Sequence, residues 1–174
     1  MTGAAIVGLG ALAAGLFAVR RYVIGADEAE ERAIASAPIG EVTGDLELLD
    51  PAFRAPLERV LARLEARGYI PWVYETRRTG TRQEELFALG TSLTLESLHE
   101  EGLAADVIDG RTLPASSPNA GMRVGWGSWE GDDIAAAMAG DFFSALGAEV
   151  AAEPDLEWGG DWIGLVDQPH VELA

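Results

Sequence analysis

The fold is decided by the stretch Ser97-Leu98-His99-Glu100-Glu101-Gly102-Leu103-Ala104-Ala105-Asp106, which needs a distant partner segment, Asp167-Gln168-Pro169-His170. The chain has only two histidines, and one lies in each of these segments. Gly102 and Pro169 make both segments typical of a loop that leads into a strand. The two histidines would therefore meet where two strands begin.

Three side chains of these segments form a candidate metal site. His99, Asp106 and His170 would offer two imidazoles and one carboxylate, the ligand count of a catalytic zinc site whose fourth position stays open to water. A lone histidine is more often a surface or core residue than a ligand. The metal interpretation gains weight because each histidine lies in its own motif and none is left over. Asp167 lies beside the second motif as a candidate base.

Composition narrows the classes of protein that the chain can be. The 174 residues are 48% hydrophobic, which is enough for one domain with a core and a short appendage. There is no cysteine, so disulfides and thiolate metal sites are excluded. The net charge of -17 argues against binding nucleic acid through a basic patch.

The first 24 residues are expected to form a hydrophobic helix. Gly3 to Val19 carries no charge and is closed by Arg20-Arg21, and a helix that spans a bilayer needs about 17–25 residues. A cleaved signal peptide would carry positive charge before the apolar run, whereas here the arginines follow it. We therefore expect an uncleaved membrane anchor or a helix packed in an assembly at 1–24, followed by a polar linker at 25–44.

The folded domain is expected to span 45–174. Asp50 caps a helix that has Pro51 in its first turn and ends at Gly68. The other predicted elements are a strand at 70–76, a helix with a capping box of Thr81 and Glu84 that runs to Gly90, a strand at 103–108, a long loop at 109–130, a helix from Asp132 to Gly147, a turn at 156–162 and a strand at 169–173. Helices with short strands indicate a small α+β domain.

Three stretches, in this order, carry a family resemblance. They are Glu75-Thr76-Arg77-Arg78-Thr79 followed by Gln83, then Ser97-x-His99-x-x-Gly102-x-Ala104-x-Asp106, then Trp158-Gly159-Gly160-Asp161-Trp162 with Asp167-x-x-His170. The chain resembles the zinc D-Ala-D-Ala peptidase-like family, and within it the L-alanyl-D-glutamate endopeptidases found as phage endolysins. The resemblance covers about residues 45–174.

The resemblance implies roles for the residues of these motifs. His99, Asp106 and His170 would bind zinc, and Asp167 would be the general base, where carboxypeptidase members usually carry Glu. Arg78 would stabilise the oxyanion or hold a substrate carboxylate, unless it is an ordinary surface arginine.

Further motif residues could contact the substrate. Ser97 is implied to do so, although it could simply orient its loop. Asp161 and Trp162 could line the cleft or form only a structural turn, and Gln83 is expected to have a structural role. Trp126 lies where the resemblance is weakest and receives no role.

The resemblance also implies a fold and a function. The fold would be a small Hedgehog/D,D-peptidase-like zinc domain with a central antiparallel sheet, in addition to the N-terminal helix. The function would be zinc-dependent hydrolysis of peptidoglycan stem peptides at the L-alanyl-D-glutamate bond, in a phage or virion context. The alternatives are a D-Ala-D-Ala carboxypeptidase or dipeptidase, and a non-catalytic structural protein of a virion or envelope. The expected location is a virion membrane or tail, or the bacterial cell envelope.

Overall fold

A central antiparallel sheet organises residues 42–174, the part of the chain that this computed structural model describes. Its strands are β1 (Pro71–Glu75), β2 (Ala104–Thr112), β3 (Arg123–Gly125), β4 (Leu156–Trp158) and β5 (His170–Leu173). The order is β1-β2-β5-β4, β3 also pairs with β2, and every pairing is antiparallel. The prediction of a mixed helix and strand domain with a central antiparallel sheet is confirmed.

Four α-helices accompany the sheet in this part of the chain. They are α1 (Pro51–Ala66), α2 (Gly80–Ala88), α3 (Leu98–Glu101) and α4 (Asp133–Val150). Helices α1 and α4 pack on each other, and each also contacts the sheet. The predicted apolar face of α1 supplies much of the core, since Phe53, Leu57, Val60 and Leu64 are all fully buried. The Asp50 side chain caps α1 by accepting from the backbone N–H of Ala52, as expected.

One predicted helix start and one predicted loop need correction. The cap of α2 is Thr79, which accepts from the N–H of Arg82, and not Thr81. Thr79 has the extended backbone that an N-cap requires, whereas Thr81 already lies in the first helical turn. The segment around His99, expected as a loop, forms the single helical turn α3. A capping box between Ser97 and Glu100 begins that turn.

Gly102 ends α3 for two separate reasons. Its φ of 75° lies in the left-handed region, which glycine enters without strain. A Cβ atom at this position would also come within 2.8 Å of the carbonyl oxygen of Leu48. At this close approach the carbonyl oxygen of Gly102 accepts a hydrogen bond from the backbone N–H of Asp50. The bond joins the start of α1 to the start of β2.

Two predicted boundaries in the second half of the chain are wrong. The expected loop at 109–130 contains the end of β2 and all of β3. Helix α4 continues through Gly147 to Val150. The ring of Trp158 packs directly on Gly147 and leaves no room for a larger side chain, so this glycine is required by packing and does not end the helix. A glycine is a stop signal only where the chain leaves the helix in a left-handed conformation.

The expected membrane-anchored location is wrong. Within residues 42–174 no helix is long and apolar enough to cross a bilayer. The longest one, α4, has 18 residues and carries Asp133, Asp141 and Glu149, whereas a span needs about 20 predominantly apolar residues. The hydrophobic helix predicted at 1–24 lies outside the described residues, as does most of the predicted linker. We therefore withdraw the assignment to a virion membrane, tail or cell envelope.

Candidate active site

The pairing of two strands with the turn before them assembles the candidate site. Asp106 of β2 lies directly opposite His170 of β5, and α3 places His99 beside them. The Oδ1 atom of Asp106 lies 3.5 Å from Nε2 of His99 and 3.4 Å from Nδ1 of His170. One ligand atom from each of the three residues lies within 4.8 Å of the others. The structure therefore brings together the three side chains that the sequence singles out.

Each imidazole is oriented by a partner on its far nitrogen. Nδ1 of His99 donates to the carbonyl oxygen of Thr76 at 2.6 Å, and this orients Nε2 of the same ring towards Asp106. Nε2 of His170 lies 2.9 Å from a carboxylate oxygen of Glu172, and its Nδ1 faces Asp106. Partners of this kind fix the tautomer and the ring orientation of metal-binding histidines.

The residues present fit a metal ion such as zinc. Nε2 of His99 is buried and has no hydrogen-bond partner in the described part of the chain, although a buried polar atom normally has one. That atom faces a carboxylate and a second imidazole. Two nitrogen donors and one oxygen donor form the donor set of several catalytic zinc sites.

The charges of the cluster are strongly coupled. Burial raises the pKa of Asp106, but the imidazoles of His170 and His99 outweigh burial and hold that pKa well below its usual range. Burial lowers the pKa of His170, but Asp106 and Glu172 overcome it and raise the pKa to about 9 in the metal-free chain. A metal cation at this position would replace the proton that His170 carries.

Asp167 lies beside the cluster and is held by the turn before it. Its backbone N–H donates to the carbonyl oxygen of Gly159 at 2.9 Å, and its carbonyl oxygen accepts from the N–H of His170 at 3.2 Å. A Cβ on Gly159 would lie 2.5 Å from the Asp167 carbonyl oxygen and 3.0 Å from Cβ of His170, so only glycine allows this approach. Burial and the charge of Asp106 raise the pKa of Asp167.

Arg78 reaches the cluster from the end of β1. Its Nη2 lies 3.5 Å from Oδ2 of Asp106 and 2.6 Å from Oε2 of Glu75, and its Nη1 donates to Oε1 of Gln83 at 2.8 Å. Glu75 is only 2% exposed and also forms an ion pair with Arg82. The guanidinium is therefore fixed by a buried network, and it is not a free surface arginine.

The residues predicted to contact substrate lie in different surroundings. Trp162 reaches the site, since its ring lies 5.0 Å from that of His170. Ser97 caps α3 and so supports His99. Asp161 is exposed in the short 3-10 turn Gly159–Asp161, and within residues 42–174 no hydrogen bond or ion pair joins it to the cluster.

Sequence reasoning missed two supporting residues. Glu172 could have been found from its place two residues after His170 in a predicted strand, where both side chains lie on one face. The role of Thr76 could not be predicted from the sequence, because it is the backbone carbonyl oxygen that accepts the hydrogen bond, and every residue has one.

Comparison with known proteins agrees with these motifs. A family model described as D-alanyl-D-alanine carboxypeptidase matches residues 90–173. The L-alanyl-D-glutamate peptidase of Listeria phage A118 is 31% identical over 120 residues, which are 69% of this chain and 36% of that protein. The chain thus spans about a third of the length of this relative.

A solved structure is also similar in sequence. The Serratia marcescens L-Ala D-Glu endopeptidase ChiX is 31% identical, over 74% of this chain and 83% of that one, with a TM-score of 0.48. The family match and the identity to the phage peptidase confirm the resemblance stated from the motifs. The chain is similar to the D-alanyl-D-alanine carboxypeptidase family over residues 90–173, and to a phage L-alanyl-D-glutamate peptidase over 120 residues.

Proposed function

We propose that the chain is a zinc-dependent peptidoglycan peptidase that hydrolyses the L-alanyl-D-glutamate bond of stem peptides. The observation that carries the proposal is the cluster of His99, Asp106 and His170, in which a buried histidine nitrogen lacks a hydrogen-bond partner among the described residues. The names of the phage and Serratia relatives support the choice of bond. The proposed peptidase domain is 45–174, with a Hedgehog/D,D-peptidase-like fold.

The proposed mechanism assigns one task to each side chain. His99, Asp106 and His170 would hold the zinc ion. When bound there, zinc would supply Lewis-acid polarisation of the scissile carbonyl and activation of a water. Asp167 takes the proton from the attacking water and returns it to the leaving amine. Arg78 stabilises the negative charge that develops on the carbonyl oxygen.

The buried network around Arg78 suits this role. The Arg78 guanidinium donates hydrogen bonds to Glu75 and Gln83. Because these bonds already fix its position, the arginine needs little reorganisation when charge develops at the substrate. Trp162 beside His170 would form one wall of the cleft. Ser97 and Asp161 complete the proposed substrate contacts, with Ser97 acting also through the capping of α3.

The second candidate is a D-Ala-D-Ala carboxypeptidase or dipeptidase. The description of the matching family model favours it. The identity of residue 167 favours the endopeptidase, because the resemblance places Glu at this position in carboxypeptidase members and this chain carries Asp. The two activities release different products from one muropeptide.

Metal analysis of two variants tests the proposed roles. The purified chain is expected to hold one zinc ion, and His99→Ala to lose most of it. Asp167→Asn should keep the metal and lose activity by about 10²–10⁴-fold, the usual scale for a positioned acid or base. Asp141→Asn, a more exposed carboxylate on α4, is the matched control. Stoichiometric zinc in His99→Ala would contradict the ligand assignment, and loss of zinc from Asp167→Asn would make Asp167 a ligand.

A further inference from the structure

Three aromatic side chains form a connected platform outside the metal cluster. We define the aromatic platform as Trp72, Tyr74 and Trp126 together with Arg123. Trp72 and Tyr74 contact edge to face with ring centroids 5.9 Å apart, and Tyr74 and Trp126 do so at 5.2 Å. The guanidinium of Arg123 lies 4.7 Å from the centre of a Trp72 ring.

The aromatic platform lies on the same face of the sheet as the cluster. In the pairing of β1 with β2, Trp72 is opposite Ile108, and Ile108 lies two residues from Asp106 in β2. Residues two apart in a strand share a face, and so do cross-strand partners. Trp72 is therefore on the face of Asp106, roughly 7 Å along the strand at 3.4 Å per residue. A long substrate held at the cluster can extend over the aromatic platform.

Two of the three rings of the aromatic platform are exposed, whereas Tyr74 is half-buried, and Arg123 adds a positive charge. Trp72 is 38% and Trp126 43% exposed. Arg123 forms no ion pair within the described residues, although the whole chain has 29 acidic residues. Single exposed apolar side chains are ordinary on a protein surface. Here two exposed tryptophans are joined through Tyr74, lie beside an arginine that has no ion pair among residues 42–174, and share the face of the site, which makes them a candidate binding surface.

We propose that the aromatic platform binds the glycan strand of peptidoglycan while the cluster acts on the attached peptide, an inference that rests on the proposed function. A pyranose ring presents a face of C–H groups that stacks on an aromatic ring, and its edge carries hydroxyl and acetamido oxygens. Arg123 is a donor only, with five N–H groups, and suits those oxygens.

Saccharide binding by the full 174-residue chain tests this inference. The probe is the β-1,4-linked N-acetylglucosamine tetramer, titrated in a calorimeter. The wild type is expected to bind it, and Trp126→Ala to raise the Kd by about tenfold, as for loss of an aromatic anchor. Trp126→Phe keeps a ring and should lose less. Phe87→Ala removes an exposed aromatic side chain of α2 and is the matched control. Melting temperatures check that each variant is folded.

Two results would overturn the inference. One is a wild type that does not bind the tetramer at millimolar concentration, or a folded Trp126→Ala that binds it equally well. The other is a rise in KM for a free stem peptide in Trp126→Ala with tetramer binding unchanged, which would make the occupant a peptide. Failure of the proposed function is separable, because a chain that binds the tetramer but cleaves no muropeptide retains the saccharide surface without the peptidase.

Discussion

Replacing Glu75 with glutamine tests how the site holds Arg78. Glu75 is 2% exposed, and the side chains of its partners Arg78 and Arg82 are 9% and 6% exposed. Solvent therefore cannot replace the lost charge, and breaking a buried ion pair costs about 3–5 kcal/mol. Glutamine still accepts hydrogen bonds, so we expect the lower limit of about 3 kcal/mol. At about 4 °C per kcal/mol for a domain of this size, the melting temperature should fall by roughly 12 °C.

The assay is calorimetric melting in the presence of a chelator, so that metal binding does not contribute to stability. Glu58→Gln is the matched control, since Glu58 pairs with Arg54 in the same way but its side chain is 46% exposed. An exposed pair of this kind contributes about 0.5 kcal/mol or less. A drop for Glu75→Gln no larger than that for Glu58→Gln would refute the buried network. If the network also positions Arg78, kcat should fall by about 10-fold or more at temperatures where the variant is folded.

Two further predictions concern stability away from the site. Arginines of α1 that donate to Glu153 lower its pKa from 4.5 to about 2, so its stabilising contribution is complete above about pH 4.5 and is lost as the pH falls through 2. Melting temperatures between pH 6 and pH 2 should therefore decline less steeply in Glu153→Gln, and an unchanged slope would contradict this. Gly147→Ala should destabilise by about 1–3 kcal/mol because its Cβ would overlap the Trp158 ring. Gly140→Ala in the same helix has nothing within 4 Å and should stabilise by up to about 1 kcal/mol, and chemical denaturation that ranks the two variants equally would argue against the packing.

The parts of the fold that the sequence predicts are those governed by local patterns. Asp50, Pro51 and the apolar spacing of α1 define a helix start and a buried face within one segment. The three clustered side chains could be proposed because the chain offers only two histidines and both lie in motifs. In these segments the local sequence preferences agree with the tertiary structure, and they therefore predict it correctly.

The parts that sequence reasoning missed depend on contacts between distant segments. The helix-ending signal of Gly147 is overridden by Trp158, which packs on it. Strand β3 forms by pairing with β2. Its three residues are too few for a recognisable alternation of polar and apolar side chains. The pairing of Glu75 with Arg82 across seven positions depends on how α2 folds back against β1.

The most direct test of the central claim is mass spectrometry of purified muropeptides after digestion by the zinc-loaded full chain. The proposed function predicts cleavage between L-alanine and D-glutamate. The products would be a sugar-linked alanine and a peptide with a new amino terminus at glutamate, and Asp167→Asn should not form them. Release of a terminal D-alanine, with the alanyl-glutamate bond intact, would contradict the endopeptidase assignment, and unchanged muropeptides would contradict the peptidase itself.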